Sequence, residues 1–170
     1  MSIWQTIADD ASAESELWAA ALLPRQERRL EPVFSTLGDP RHWLAIETIY
    51  EGYLIHYGRP RLFRRPDRDT ALLLGDYLYA HGLVRVSVLG EPTAVADLAE
   101  LISLCAHLRA EDAPGDGAAW AATAAQLGRG VLEEARLALR DGGDAEPLLA
   151  LAGPRPAVAP ALAAHAVRVT

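Results

Sequence analysis

The stretch Arg68–Leu89, RDTALLLGDYLYAHGLVRVSVL, decides the fold class. It is the longest apolar run in the chain. Leu74, Tyr77, Leu78, His81, Val84 and Val88 recur at helical spacing, while Leu72, Leu73, Ala80 and Leu83 fill most of the opposite face. A helix apolar nearly all round is a buried central helix. Asp76 sits inside it, directly after Gly75, and a buried carboxylate needs a partner. The run therefore predicts that Asp76 is buried and paired with His56 or an arginine. Gly75 is predicted to permit a close helix crossing.

The segments around this run read as helices joined by Gly and Pro turns. Alanine and leucine dominate and β-branched residues are few, which favours helix. Ser12 is the expected N-cap of a first helix that Pro24 ends, and a second helix is expected over residues 26–37, kinked near Pro32. Gly38-Asp39-Pro40 stops that helix and starts the next, which runs to Tyr57. Trp43, Ile46, Tyr50, Tyr53 and Tyr57 form an aromatic stripe along it, read as core, with a ligand pocket as the second reading. Further helices are expected over 92–110, 118–140, 145–151 and 158–167. Within 118–140, Gly128 and Gly130 allow close packing or mark a kink. The expectation is an all-α compact helical bundle, one domain over residues 1–170.

Composition narrows the function classes. With 51% hydrophobic and 23% charged residues, 170 residues can bury a globular core. Every basic residue other than histidine is arginine, and the net charge of −7 argues against a nucleic-acid binder. The single cysteine, Cys105, excludes an internal disulfide and lies among Leu101, Ile102, Leu104 and Leu108, as a core residue would. Asp76, His81 and Arg85 interrupt the central run, which argues against an integral membrane segment. No basic-then-apolar leader pattern opens the chain, so a cytoplasmic location is expected.

Few residues propose chemistry. Glu47 and Glu51 lie one turn apart, but no third ligand follows at matching spacing, so they read as a solvated face and not a metal site. The five histidines are scattered over separate helices. The loop Gly58–Arg68, GRPRLFRRPDR, concentrates Arg59, Arg61, Arg64, Arg65 and Arg68 on an acidic chain. Those arginines either grip a diphosphate or an acidic partner, or cap the end of the preceding helix.

Leu54-Ile55-His56 and the later Leu74-Gly75-Asp76-Tyr77-Leu78, with the helix that follows, resemble the trans-isoprenyl diphosphate synthase family. In that family LIHDD opens an aspartate-rich motif whose carboxylates hold magnesium. Here Tyr57 and Gly58 follow His56, and no DDxxD occurs anywhere. The resemblance implies a truncated, isoprenoid-synthase-like scaffold in which His56, Gly75, Asp76 and Tyr77 carry over and no metal ligand does. It is similar in style to the non-catalytic small subunit of two-component polyprenyl synthases such as heptaprenyl diphosphate synthase component one. The resemblance therefore implies a partner or regulatory subunit, acting through helix–helix association as a homodimer or with a catalytic prenyl diphosphate synthase. It would need no cofactor of its own, with magnesium present only if that partner supplies the ligands. With no complete catalytic set, an enzyme is not the expectation. The alternative is an isoprenoid or lipid-diphosphate binding protein using the arginine loop. A metal arrangement converging from Glu47, Glu51 and Asp76 is a third.

Overall fold

A computed structural model describes residues 2–169, and those residues form an all-α fold of nine α-helices without a strand. Ser2 caps α1 (Ile3–Glu14) by accepting from the Gln5 amide at 3.2 Å, and Ser15 caps α2 (Glu16–Ala21). Ser12 is therefore not a helix start: it lies within α1, its hydroxyl bonded back to the Ala8 carbonyl at 2.8 Å. The first residues thus form three turns of helix that bury Trp4, Ile7 and Ala11.

The expected helix over 26–37 is absent. Two 3-10 turns, Arg25–Glu27 and Ser35–Leu37, flank an irregular run. Pro32 supplies no amide hydrogen, and the backbone here pairs sideways with the arginine loop. Leu23 N donates to Leu62 O at 2.8 Å, Arg29 N to Arg61 O at 3.1 Å, and Arg64 N to Ala21 O at 2.8 Å.

Asp39 caps the turn leading into α3 (Trp43–Tyr57), and Asp67 caps α4 (Arg68–Ser87) by accepting from the Asp69 and Thr70 amides. The chain continues through α5 (Pro92–Ala110), α6 (Asp116–Gln126), α7 (Glu133–Gly142), α8 (Glu146–Ala152) and α9 (Arg155–Val169). The single helix expected over 118–140 is two. Gly128 and Gly130 take φ of 78° and 67°, a left-handed backbone that stops α6 before α7 begins. Two helices are sheathed on all sides, α3 from Ala45 to Ile55 and α6 from Gly117 to Ala124. Their aromatic junction, Tyr50 and Tyr53 against Trp120 with Phe34, is the centre of the main core.

The apolar run that suggested a central helix is not central. α4 makes the most extensive helix pairing in the fold, against α3, through Ala71, Leu74, Gly75, Leu78, Gly82 and Val86. Gly75 does permit a close crossing: a Cβ at Gly52 of α3 would stand 2.8 Å from the Gly75 carbonyl, and one at Gly75 would run into the His56 ring. Gly82 meets Ile49 in the same way. The small residues, not the large ones, choose the face. Asp76, one residue past Gly75, is turned outward and exposed, contrary to the expectation of burial.

The Gly52–Gly75 contact sets a stability prediction. Gly52→Ala pushes a methyl onto backbone that cannot swing away, and should cost about 1–3 kcal/mol in urea unfolding. Gly142→Ala, where a Cβ meets nothing within 4 Å, should leave the midpoint unchanged or slightly raised. Equal effects would remove the crossing from the account.

Candidate functional site

The polar side chains that the fold draws together form buried clusters. The largest surrounds Arg61, which is 0% exposed. Pro60 turns the chain inward after α3, and the Arg61 guanidinium enters between α3 and the irregular run. Its Nε donates to Glu51 at 3.0 Å and its Nη1 to Glu47 at 2.6 Å and to the Glu31 carbonyl at 3.1 Å. Its two faces stack on Trp4 and Tyr50, 4.6 and 4.9 Å from the ring centres. The second carboxylate oxygens are also used. Glu51 accepts from the Arg61 and Leu62 amides, both at 2.7 Å, and Glu47 from the Val33 and Ser35 amides at 3.3 and 3.4 Å. Burial alone would lower the Arg61 pKa, but the charges of Glu47 and Glu51 outweigh it and hold the guanidinium above its ordinary range.

This cluster corrects two sequence readings. Glu47 and Glu51 are not a solvated face but fully buried carboxylates. Arg61 is not a surface contact for diphosphate or partner, because every face of it is occupied. The signal was available: a pair of glutamates one turn apart on a helix otherwise apolar all round, followed closely by an arginine between Pro60 and Leu62-Phe63.

A second cluster joins α3, α5, α6 and α9. The Asp116 Oδ2 atom accepts from the Tyr53 hydroxyl, from Arg109 and from His165 Nε2, and His165 Nδ1 lies 3.0 Å from the Tyr50 hydroxyl. An ionised carboxylate only accepts, so His165 donates from Nε2 to Asp116, and its Nδ1 shares a hydrogen bond with the Tyr50 hydroxyl. Burial works to raise the Asp116 carboxyl, but the hydrogen bonds from His165 and Tyr53 and the charge of Arg109 prevail, leaving it well below its usual range. Burial raises Tyr50 and Tyr53 strongly. In a third cluster Asp97 holds Arg136 at 3.2 Å and the Gly128 amide at 2.9 Å, fixing the α6–α7 break. Sequence reading missed both, because their members lie on different helices.

Of the predicted scaffold residues, His56, Gly75 and Asp76 meet. Asp76 Oδ1 lies 3.2 Å from His56 Nε2, at ion-pair distance, and Gly75 lies under the same ring. Burial lowers the His56 pKa, partly offset by Asp76. Tyr77 faces α2, where its ring lies 5.8 Å from Trp18. The loop arginines, in contrast, diverge. Arg65 donates to the His56 carbonyl at 3.0 Å, capping the end of α3, and Arg68 opens α4. Arg64 is exposed, and Arg59 reaches the end of α9, where its amide donates to the Arg168 carbonyl at 2.9 Å. Glu47 and Glu51 face Arg61 while Asp76 faces solvent, so these carboxylates do not converge. Among the described residues no three His, Cys, Asp or Glu side chains gather as metal ligands. Cys105 is buried, which pushes its thiol pKa far up, away from nucleophilic use. No helix among the described residues is long and apolar enough to cross a membrane.

Beside Asp76, α4 presents large apolar side chains to solvent. Leu72, Leu73 and Val84 are exposed along it and Val88 and Leu89 just past its end, half of the ten large apolar side chains exposed among the described residues. No family model, no curated protein and no solved structure matches this chain. Nothing in those comparisons ties it to the trans-isoprenyl diphosphate synthases, and that resemblance rests on the Leu54–His56 and Leu74–Leu78 motifs alone.

The first cluster gives a mutational prediction. Arg61→Met leaves two buried carboxylates without their cation and should cost about 3–5 kcal/mol in chemical denaturation. Arg61→Lys should recover less than half of that, since one ammonium cannot satisfy both carboxylates and lie between two rings. The second gives a pH dependence. The Asp116 pKa is lower folded than unfolded, so its contribution is complete above the unfolded value of about 4 and is lost as pH falls below it. In urea titrations wild type should exceed Asp116→Asn in stability at pH 7, and the gap should narrow steadily below about pH 4. A gap that widens in acid would reverse the assignment.

Proposed function

We propose that this chain acts by association, as a partner subunit whose docking surface is the outward face of α4. The observation that carries the reading is the exposure of Leu72, Leu73, Val84 and Val88, two apolar pairs on either side of Asp76 and Ala80. An outward helix face is ordinarily polar, and large apolar side chains gathered on one mark an interaction surface.

The occupant proposed is a second copy of α4, antiparallel to the first. Ala80 lies between the two pairs, and its small side chain lets two helices approach. An antiparallel pairing about Ala80 sets Leu72 and Leu73 of each copy against the Val84–Val88 half of the other. It separates the two Asp76 carboxylates by about eight residues of rise, roughly 12 Å, whereas a parallel pairing would oppose them. The same patch serves both copies, as a two-fold interface requires. Where the resemblance to prenyl synthases holds, a catalytic synthase is the heteromeric partner that would use this face, and any magnesium would be held by that partner's ligands.

Light scattering on the purified chain should give a dimer. Leu73→Glu and Val84→Glu, both at exposed positions, should keep the helical circular dichroism. Each should also weaken the dimer about a hundredfold, because two symmetric apolar contacts worth about 3 kcal/mol together are lost. A wild-type monomer that binds a co-expressed synthase would replace the homodimer with the heteromer. A monomer that binds none would remove the association reading.

A further inference from the structure

Although the loop arginines diverge, one of them joins arginines from elsewhere. Arg59 from the loop, Arg29 from the irregular run and Arg168 near the end of α9 line one open hollow of about 580 Å³, floored by Pro60, Ala163, Ala164 and Val167. Backbone pairing fixes all three positions. Arg29 N donates to the Arg61 carbonyl at 3.1 Å, and Arg59 N donates to the Arg168 carbonyl at 2.9 Å. The Arg59 guanidinium reaches the Val167 carbonyl. The neighbouring hollow beside His56 includes Asp69 with Arg65 and Arg68. In contrast, no acidic side chain among the described residues lines this one.

The charge is unbalanced here. The nearest carboxylate partner is Glu31, 3.6 Å from Arg168 and largely in water. Three guanidiniums thus line the hollow on a chain whose net charge is −7, with one solvated carboxylate at ion-pair distance. Arg168 is also half-buried and close to Arg61, and these two effects, burial first, hold its pKa below the ordinary arginine range. An anion in the hollow would relieve that repulsion. The apolar floor beside it would accept a hydrocarbon substituent.

We infer that this hollow binds a phosphate monoester bearing an apolar group, its head held by Arg29, Arg59 and Arg168 and its substituent laid on Pro60, Ala163 and Ala164. A phosphate monoester carries close to two negative charges at neutral pH, with a second ionisation near about pH 6, and presents oxygens that match guanidinium forks. The head can come from a free amphiphile or from a lipid. The hollow shares no residue with the outward face of α4, so the inference stands independently of the association reading.

Titration calorimetry on the full chain with octyl phosphate below its micellar concentration should show saturable binding, tighter than for inorganic phosphate and weakening as pH drops from 7 to 5. Arg29→Gln and Arg59→Gln, both exposed, should each weaken it by about tenfold or more, while Arg64→Gln, outside the hollow, should not. Flotation with phosphatidylcholine vesicles containing phosphatidic acid distinguishes the source. Arginine-dependent capture on vesicles without binding of free octyl phosphate assigns the lipid headgroup, and binding of both assigns the shared chemistry. Absence of both, or binding unchanged in Arg29→Gln and Arg59→Gln, overturns the inference. Equal affinity for inorganic and octyl phosphate overturns the part played by the apolar floor. The Leu73→Glu variant should bind as wild type does, which separates this result from that of the dimer.

Discussion

The Arg61 cluster is the constraint on which the rest of the fold depends. Two carboxylates one turn apart on α3 are buried where they cannot be hydrated, and ionised carboxylates there require donors. The chain supplies one cation and four backbone amides, those of Val33, Ser35, Arg61 and Leu62. Those amides belong to segments with no regular structure of their own. Two glutamates therefore do for these irregular segments what helix hydrogen bonds do elsewhere. Arg61 closes the cluster by lying between Trp4 of α1 and Tyr50 of α3, which also docks the N-terminal helix.

The same logic explains why the polar groups with the most chemical character are structural. Asp116 takes three donors from three helices, and Asp97 secures the break between α6 and α7. Each joins elements that apolar contact alone would leave free to slide, since α6 and much of α9 are alanine-rich and offer shallow ridges. Charge is buried at the junctions and small apolar residues fill between them. The molecule's surface is left with two unusual features, an apolar helix face on α4 and an arginine-lined hollow beside α9, which lie on separate elements.

α4 shows how a strong sequence signal can be read with the right element and the wrong orientation. Its helical state and its close crossing at Gly75 were legible. Its orientation was not, because a helix apolar on every side carries no moment to point it. The glycines resolved this: Gly75 and Gly82 of α4, with Gly52 of α3, form a line along which these two helices approach closely. Asp76 follows from that line and not from its own chemistry, and it keeps His56 as its neighbour while facing solvent.

By itself the sequence determined that the chain is helical, where α3, α4 and α5 lie, that Tyr50, Tyr53 and Cys105 are core, and that its arginines are concentrated after α3. These follow from local propensity, caps and periodicity, which act within a few residues. Only the tertiary structure decided that Glu47 and Glu51 are buried, that Arg61 turns inward while Arg59 joins Arg29 and Arg168, and that Asp116 meets His165 from 49 residues away. The physical reason is one of range. A buried charge is tolerated only when its partners arrive from distant segments, and no local pattern records which segments those are.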